Sequence, residues 1–253
     1  MEKLDPSLKA LEIIEACGQA GPEGLGVTEI VNLTGLSRST VHRLVASLVD
    51  SLYLRRVGTS KKFKLGYRLL RLTDSLTGDL KIKDVASPYL HRLSEMTQEA
   101  VHLIQMDGNY AVYVDKIDSP QPVGLLSKVG TRLMLHCTGA GKVLLADLSP
   151  ERRERIFQDV GLPAQTPNTI TDINQLNHEL EVIKIQGYSM DRMENRDGIY
   201  CIAGPIYNHR KEVVAAFSVS GPSFRFSLDQ LDDHIDDVKE TTRLISEQLG
   251  CLG

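Results

Sequence analysis

Gly35-Leu-Ser-Arg-Ser-Thr-Val-His-Arg-Leu-Val-Ala-Ser-Leu48 is the stretch on which the fold of this 253-residue chain turns. Gly35 suits a tight interhelical turn, and Ser37 is placed to cap a new helix. Val41, Leu44, Val45 and Leu48 recur at helical spacing as a stripe to be buried. Arg38, Ser39, Thr40, His42 and Arg43 fall on the other side, near the helix start. Upstream, Val27–Thr34 is a short amphipathic piece, and residues 6–16 carry Leu8, Ala10, Leu11 and Ile14 at helical spacing. Between them Cys17–Gly26, with four glycines and a proline, reads as a turn. Downstream, Tyr53–Val57 alternates, Gly58-Thr-Ser turns, and Lys61–Leu65 alternates again. Helix, short helix, glycine turn, helix with polar leading residues and then a hairpin is the order of a winged helix-turn-helix.

The charge distribution supports that order. The chain nets −4, yet residues 36–71 hold nine Lys and Arg against Asp50 alone. A basic segment on an acidic body is the footprint of a polyanion binder. A helix presented end-on to a DNA groove offers free N–H groups to phosphates and short polar side chains to base edges. Thr28, Ser37, Arg38, Ser39, Thr40, His42 and Arg43 are the candidate DNA contacts of the two helices. Arg55, Lys61, Lys62 and Lys64 are those of the wing.

Length and composition agree with a two-domain soluble protein. No run of 18 apolar residues exists, and the charged N-terminus lacks a signal-peptide core, so a cytoplasmic location is expected. Cys17, Cys137, Cys201 and Cys251 are too far apart for a metal knuckle or redox pair, so free thiols and no metal are expected. Residues 69–76 are helical in period, and a helical linker is placed over 69–83, between a winged helix at 1–68 and a second domain at 84–253. In that second domain a helix over 84–98 leads into strands at 101–106 and 111–117. Helices follow near 139–147, 150–158 and 172–186, then a hairpin of 199–207 and 213–220, and a last helix over 227–249. Hairpins with flanking helices give an antiparallel α+β domain.

Three patterns there invite chemistry. Gly139-Ala-Gly-Lys142 looks like the end of a phosphate loop, but His136 and Val143 break the motif, leaving a helix start able to hold an anion. Asp191 to Cys201 crowds polar residues into a loop before a strand. Cys201 alternates with apolar residues, which suits a buried thiol better than a nucleophile. Ser218 and Ser220 share one strand face. His136 and Cys137 adjoin each other without a ligand cluster around them.

These segments together resemble the IclR family of bacterial transcription regulators. The residues that carry the resemblance are Gly35–Leu44, Lys64-Leu-Gly, Cys137–Ala146, Gly187–Ile206 and Ala216-Phe-Ser-Val-Ser-Gly-Pro. The resemblance implies a GAF-like effector domain behind the winged helix, assembly as homodimers or dimers of dimers, palindromic duplex-DNA operators, and a small organic acid as effector. It implies a pocket in which Gly139 and Ala140 offer N–H groups to a carboxylate, Asp191, Cys201, Ser218 and Ser220 line the cavity, and Ile199 is its apolar wall. Gly204 stands where the family more usually has Ala or a bulkier residue, which bears on pocket volume. The expected function is a ligand-responsive repressor or activator of a catabolic operon, with sugar acids or 2-keto acids as the effector class. Two other classes compete. One is an enzyme acting on a small carboxylic acid through Cys201 and Asp191, which lacks a base within either motif. The other is an interaction module whose basic face meets an acidic protein.

Overall fold

Asp5 opens the first helix, α1 (Pro6–Gly18), by accepting the Ser7 N–H at 2.7 Å. The computed structural model describes residues 5–72, 82–122 and 127–252, which fall in two units, 1–79 and 80–253. In the first unit α1 runs to Gly18 rather than stopping at Ala16, because Cys17 belongs to the buried face, at 2% exposure. The stretch read as one long turn also contains a two-residue strand, β1 (Leu25–Gly26). Helix α2 (Val27–Thr34) starts where Glu29 accepts the Gly26 N–H at 2.6 Å, and it ends at Gly35, whose φ of +67° only glycine adopts freely. Helix α3 (Arg38–Asp50) follows. Strands β2 (Leu54–Arg56) and β3 (Lys62–Leu65) form the hairpin, and β1 adds to its edge in the order β1-β3-β2. Ile13, Ile30, Val41, Val45, Leu54 and Phe63 close one core between helices and sheet. Residues 68–72 are helical, and the rest of the expected linker helix, 73–81, lies outside the described residues.

In the second unit α4 (Ile82–Thr97) precedes a six-stranded antiparallel sheet in the order β6-β5-β4-β9-β8-β7. Its strands are β4 (Ala100–Asp107), β5 (Tyr110–Ile117), β6 (Arg132–Leu133), β7 (Ser189–Arg192), β8 (Ile199–Tyr207) and β9 (Val213–Pro222). Helices cover both faces. Helices α4, α8 (Leu228–Asp233) and α9 (Ile235–Gln248) pack with Val101, Ile202, Phe217 and Val219 on one. Helices α5 (Gly139–Asp147), α6 (Pro150–Val160) and α7 (Ile173–Gln186) pack with Ile104, Ala203 and Ala216 on the other. The last helix is two helices that meet at His234. Asp232 and Asp233 stand four residues before Asp236 and Asp237, and such like-charged pairs work against a continuous turn.

Pairing register decides which side each residue serves. Cys201 pairs with Ser220 and Ala203 with Ser218 toward α5. Ile202 pairs with Val219 and Gly204 with Phe217 toward α9. The expected link between Gly204 and pocket volume is therefore wrong. A Cβ at 204 would meet Thr242 Oγ1 at 2.5 Å, Phe217 Cζ at 2.8 Å and Val238 Cγ1 at 2.9 Å, all on the far side of the sheet. Gly204→Ala should cost about 1–3 kcal/mol of stability, read by denaturant unfolding, and leave ligand binding unchanged.

Candidate functional site

In the first unit, helix α3 is anchored through its buried stripe, which turns Arg38, Ser39, His42 and Arg43 outward. Its cap is a small hydroxyl cluster. The Ser37 hydroxyl accepts the Thr40 N–H and lies 2.8 Å from the Thr40 hydroxyl and 3.1 Å from that of Ser39. This fixes the first turn while leaving the outer helix surface free for contact. A groove of about 780 Å³ runs between the start of α2, the flank of α3 and the wing. Thr28, Arg38, His42, Lys61 and Lys62 line it, so five of the expected DNA contacts share one concave surface. Arg56 joins them across the Phe63 ring, 5.4 Å from its centroid. Arg56 belongs to the basic wing read from the sequence, and its pairing with Phe63 brings it to the groove side of the hairpin.

Arg55 and Lys64 pair on the other face of the hairpin and do not line the groove. Arg55 lies over Tyr67, at 4.7 Å, and Arg68 over Tyr53, at 4.8 Å. These stacks hold two guanidinium groups beside the wing, around a second hollow of about 510 Å³ that Arg71 also lines. The basic residues thus form two banks, one on each face of the hairpin.

In the second unit the sheet face under α5 carries the polar residues. Asp191 pairs with Cys201, and Cys201 with Ser220. One step along, Ser218 lies between Ala203 and His102. A bulge between Leu103 and Ile104 sets Tyr113 opposite Ile104, on this same face, where its ring stacks against His102 at 4.6 Å. Burial holds the His102 imidazole near 4, so it is neutral, and its Nε2 lies 2.7 Å from the Ser127 hydroxyl.

A cavity of about 300 Å³ opens on this face. Ile199, Cys201 and Ser220 line it, together with Tyr113, Ser127 and Thr131. Leu133, Gln165, Asn195 and Arg196 complete the wall. Gly139, Ala140, Asp191 and Ser218 are adjacent and buried without lining the open space. A Cβ on Gly139 would lie 3.6 Å from the Asp191 N and 3.3 Å from Ala203 Cβ, so the start of α5 sits directly on β7 and β8. Helix α5 is capped by Thr138, whose hydroxyl accepts the Gly141 N–H at 3.2 Å. Asp191 Oδ1 accepts N–H groups of Glu194 at 2.7 Å and Asn195 at 3.4 Å, which closes the turn after β7. Burial outweighs those bonds and pushes the Asp191 carboxyl up to about 7.

Lys142 takes no part in an anion loop. Its side chain is fully buried, with Nζ 2.7 Å from Glu194 and 3.2 Å from Glu179. Thr166 and Thr169 donate to the Glu194 carbonyl, so α5, α7 and the turn at 193–198 are tied at one point. Cys201 is not an activated thiol, since burial and the Asp191 charge both push it well above the ordinary range. Among the described residues all four cysteines are free, no His, Cys, Asp and Glu cluster suits a metal ion, and no helix is long and apolar enough to cross a membrane.

Comparison with known proteins agrees with both halves. Residues 8–58 match the family description "IclR helix-turn-helix domain", and residues 75–247 match "Bacterial transcriptional regulator IclR C-terminal". The regulator KdgR of Dickeya chrysanthemi is 32% identical over 243 residues, covering 96% of this chain and 79% of the relative. The regulator XynR of Escherichia coli is 31% identical over 242 residues, covering 96% of each. The crystal structure of the Thermotoga maritima IclR superposes with a TM-score of 0.64 at 31% identity, covering 98% of this chain and all of the other.

Proposed function

The chain belongs to the IclR family of bacterial transcription regulators, and from that footing we propose that it controls a catabolic operon in response to a small organic acid. It is a DNA-binding regulator and not an enzyme, and the raised Cys201 thiol fits that role. The finer reading is that a homodimer, alone or paired into a tetramer, binds a palindromic operator in the cytoplasm. The domains are taken as winged helix 1–68, linker 69–83 and effector domain 84–253. The observation that carries the DNA reading is the shared groove of Arg38, His42, Lys61 and Lys62. Arg43, Ser39, Thr40 and the helix cap Ser37 stand beside it on α3. Arg55 and Lys64 meet phosphate from the opposite bank. The acid, a sugar acid or 2-keto acid, lies against Ile199, Cys201 and Ser220 in the cavity, with its carboxylate toward the adjacent start of α5, where the Gly139 and Ala140 N–H groups, Asp191 and Ser218 lie buried behind the open space.

Linkage supplies the test. An acid that acts through this pocket binds the free and the operator-bound protein with different affinities. Fluorescence anisotropy of the full chain, on a duplex selected from a random pool, should show operator affinity changing as the acid is added. Equal acid affinity with and without DNA would overturn the coupling. The same titration carries a pH signature. A carboxyl raised to about 7 is neutral below that value, so it repels no bound carboxylate there. Acid affinity should therefore fall as pH rises through about 7, and Asp191→Asn should flatten the profile. The stability linked to this group has the same sign, present at low pH and lost as pH rises through 7.

A further inference from the structure

Arg196 is the one permanently charged residue among the described residues that line the 300 Å³ cavity. Around it the wall is polar but neutral, with Gln165, Asn195, Thr131 and the Tyr113 hydroxyl. No ion pair of Arg196 occurs among the described salt bridges, in contrast to Arg192 and Lys142, which both engage Glu179. The nearby acid Glu194 is already committed to Lys142, and Asp191 is held toward its neutral form. Arg196 is exposed on the turn after β7, and the half-buried Tyr113 lines the same cavity. Arg196 therefore lines the cavity from its solvent-exposed side. An unpaired guanidinium at the rim of a neutral polar cavity is a receptor for an anion that arrives from solvent.

Building on the reading that the effector's carboxylate points toward the start of α5, we infer that the effector carries a second anionic group, a carboxylate (a dianion) or a phosphate (a still higher charge), and that Arg196 binds this group. The two anion-binding points come from different elements that meet at β7. One is the first turn of α5 beside β7 and β8. The other is the turn that follows β7, across Cys201 and Ile199. Hydroxyl or keto groups between the two points meet the neutral wall. Monocarboxylic acids of the same length then bind through one end only.

Isothermal titration of the full chain with matched acids tests this. Gluconate is compared with glucarate and 6-phosphogluconate, and 2-oxopentanoate with 2-oxoglutarate. At least one acid with the second anionic group is expected to bind about tenfold or more tightly than its monoanionic partner, the range of a hydrogen bond to a charged group. Arg196→Gln should bring that acid down to the affinity of the monoanion and leave the monoanion unchanged, with the melting temperature unaltered at this exposed position. Preference for the carboxylate dianion or for the phosphate identifies the second group. Equal binding of both members of each pair, or an Arg196→Gln effect of equal size on all acids, overturns the inference while the acid-sensing reading stands. Absence of binding by every acid overturns that reading, and this inference with it.

Discussion

Lys142→Met should destabilise the second unit by about 3–5 kcal/mol, because it strands Glu194 in the interior without its cation. Thermal unfolding of the full chain should show the effector domain melting on the order of 10 °C lower. The magnitude follows from burial. The Lys142 side chain is fully inaccessible and that of Glu194 is 5% exposed, so neither charge has water to fall back on. Glu179, at 28% exposure, shares the cation but stays hydrated, and its loss should matter less. A double variant, Lys142→Met with Glu194→Gln, should recover a large part of the loss by removing the stranded charge. Additive losses from the two substitutions would contradict the pairing.

Arg43→Ala should weaken operator binding by about 1–3 kcal/mol, roughly fivefold to 150-fold, since Arg43 stands exposed on the outward side of α3. Lys62→Ala should act differently. It should lower affinity for specific and random duplexes alike and reduce the slope of log affinity against log salt by about 1. The contrast separates a side chain that reads bases from one that neutralises phosphate. Identical affinity of wild type and Arg43→Ala for both kinds of duplex would remove α3 from the groove-reading role.

The helical half of the architecture was legible because its signals are local. Ser37, the Val41–Leu48 stripe and Gly35 specify α3 within fourteen residues. Gly139–Asp147 was equally readable as a helix start with apolar residues behind it. The pocket was readable only where a resemblance pointed to Cys201, Ile199 and Ser220. Tyr113 reached the pocket through a bulge between Leu103 and Ile104, and nothing in Ala111–Ile117 advertises an extra residue in the partner pairing. Strand β7 was hidden because Ser189–Arg192 looks like the polar loop it leads into. Arg196 sat in that loop, where the crowding of polar residues was visible but the cavity they border was not. Gly204 was misplaced for a simpler reason. Counting by twos from Cys201 sends it to the α9 face.

The alternation of β8 and β9 also bears on how such a domain changes over evolutionary time. Cys201, Ala203, Ser218 and Ser220 belong to the face under α5, where Cys201 and Ser220 line the cavity, while Ile202, Gly204, Phe217 and Val219 hold the helices behind. Residues one apart in the chain therefore answer to separate demands, one set at the cavity and the α5 side, the other in the core on the α9 side. A lineage can exchange a side chain at the cavity, such as Cys201 or Ser220, while the packing against α9 stays in place.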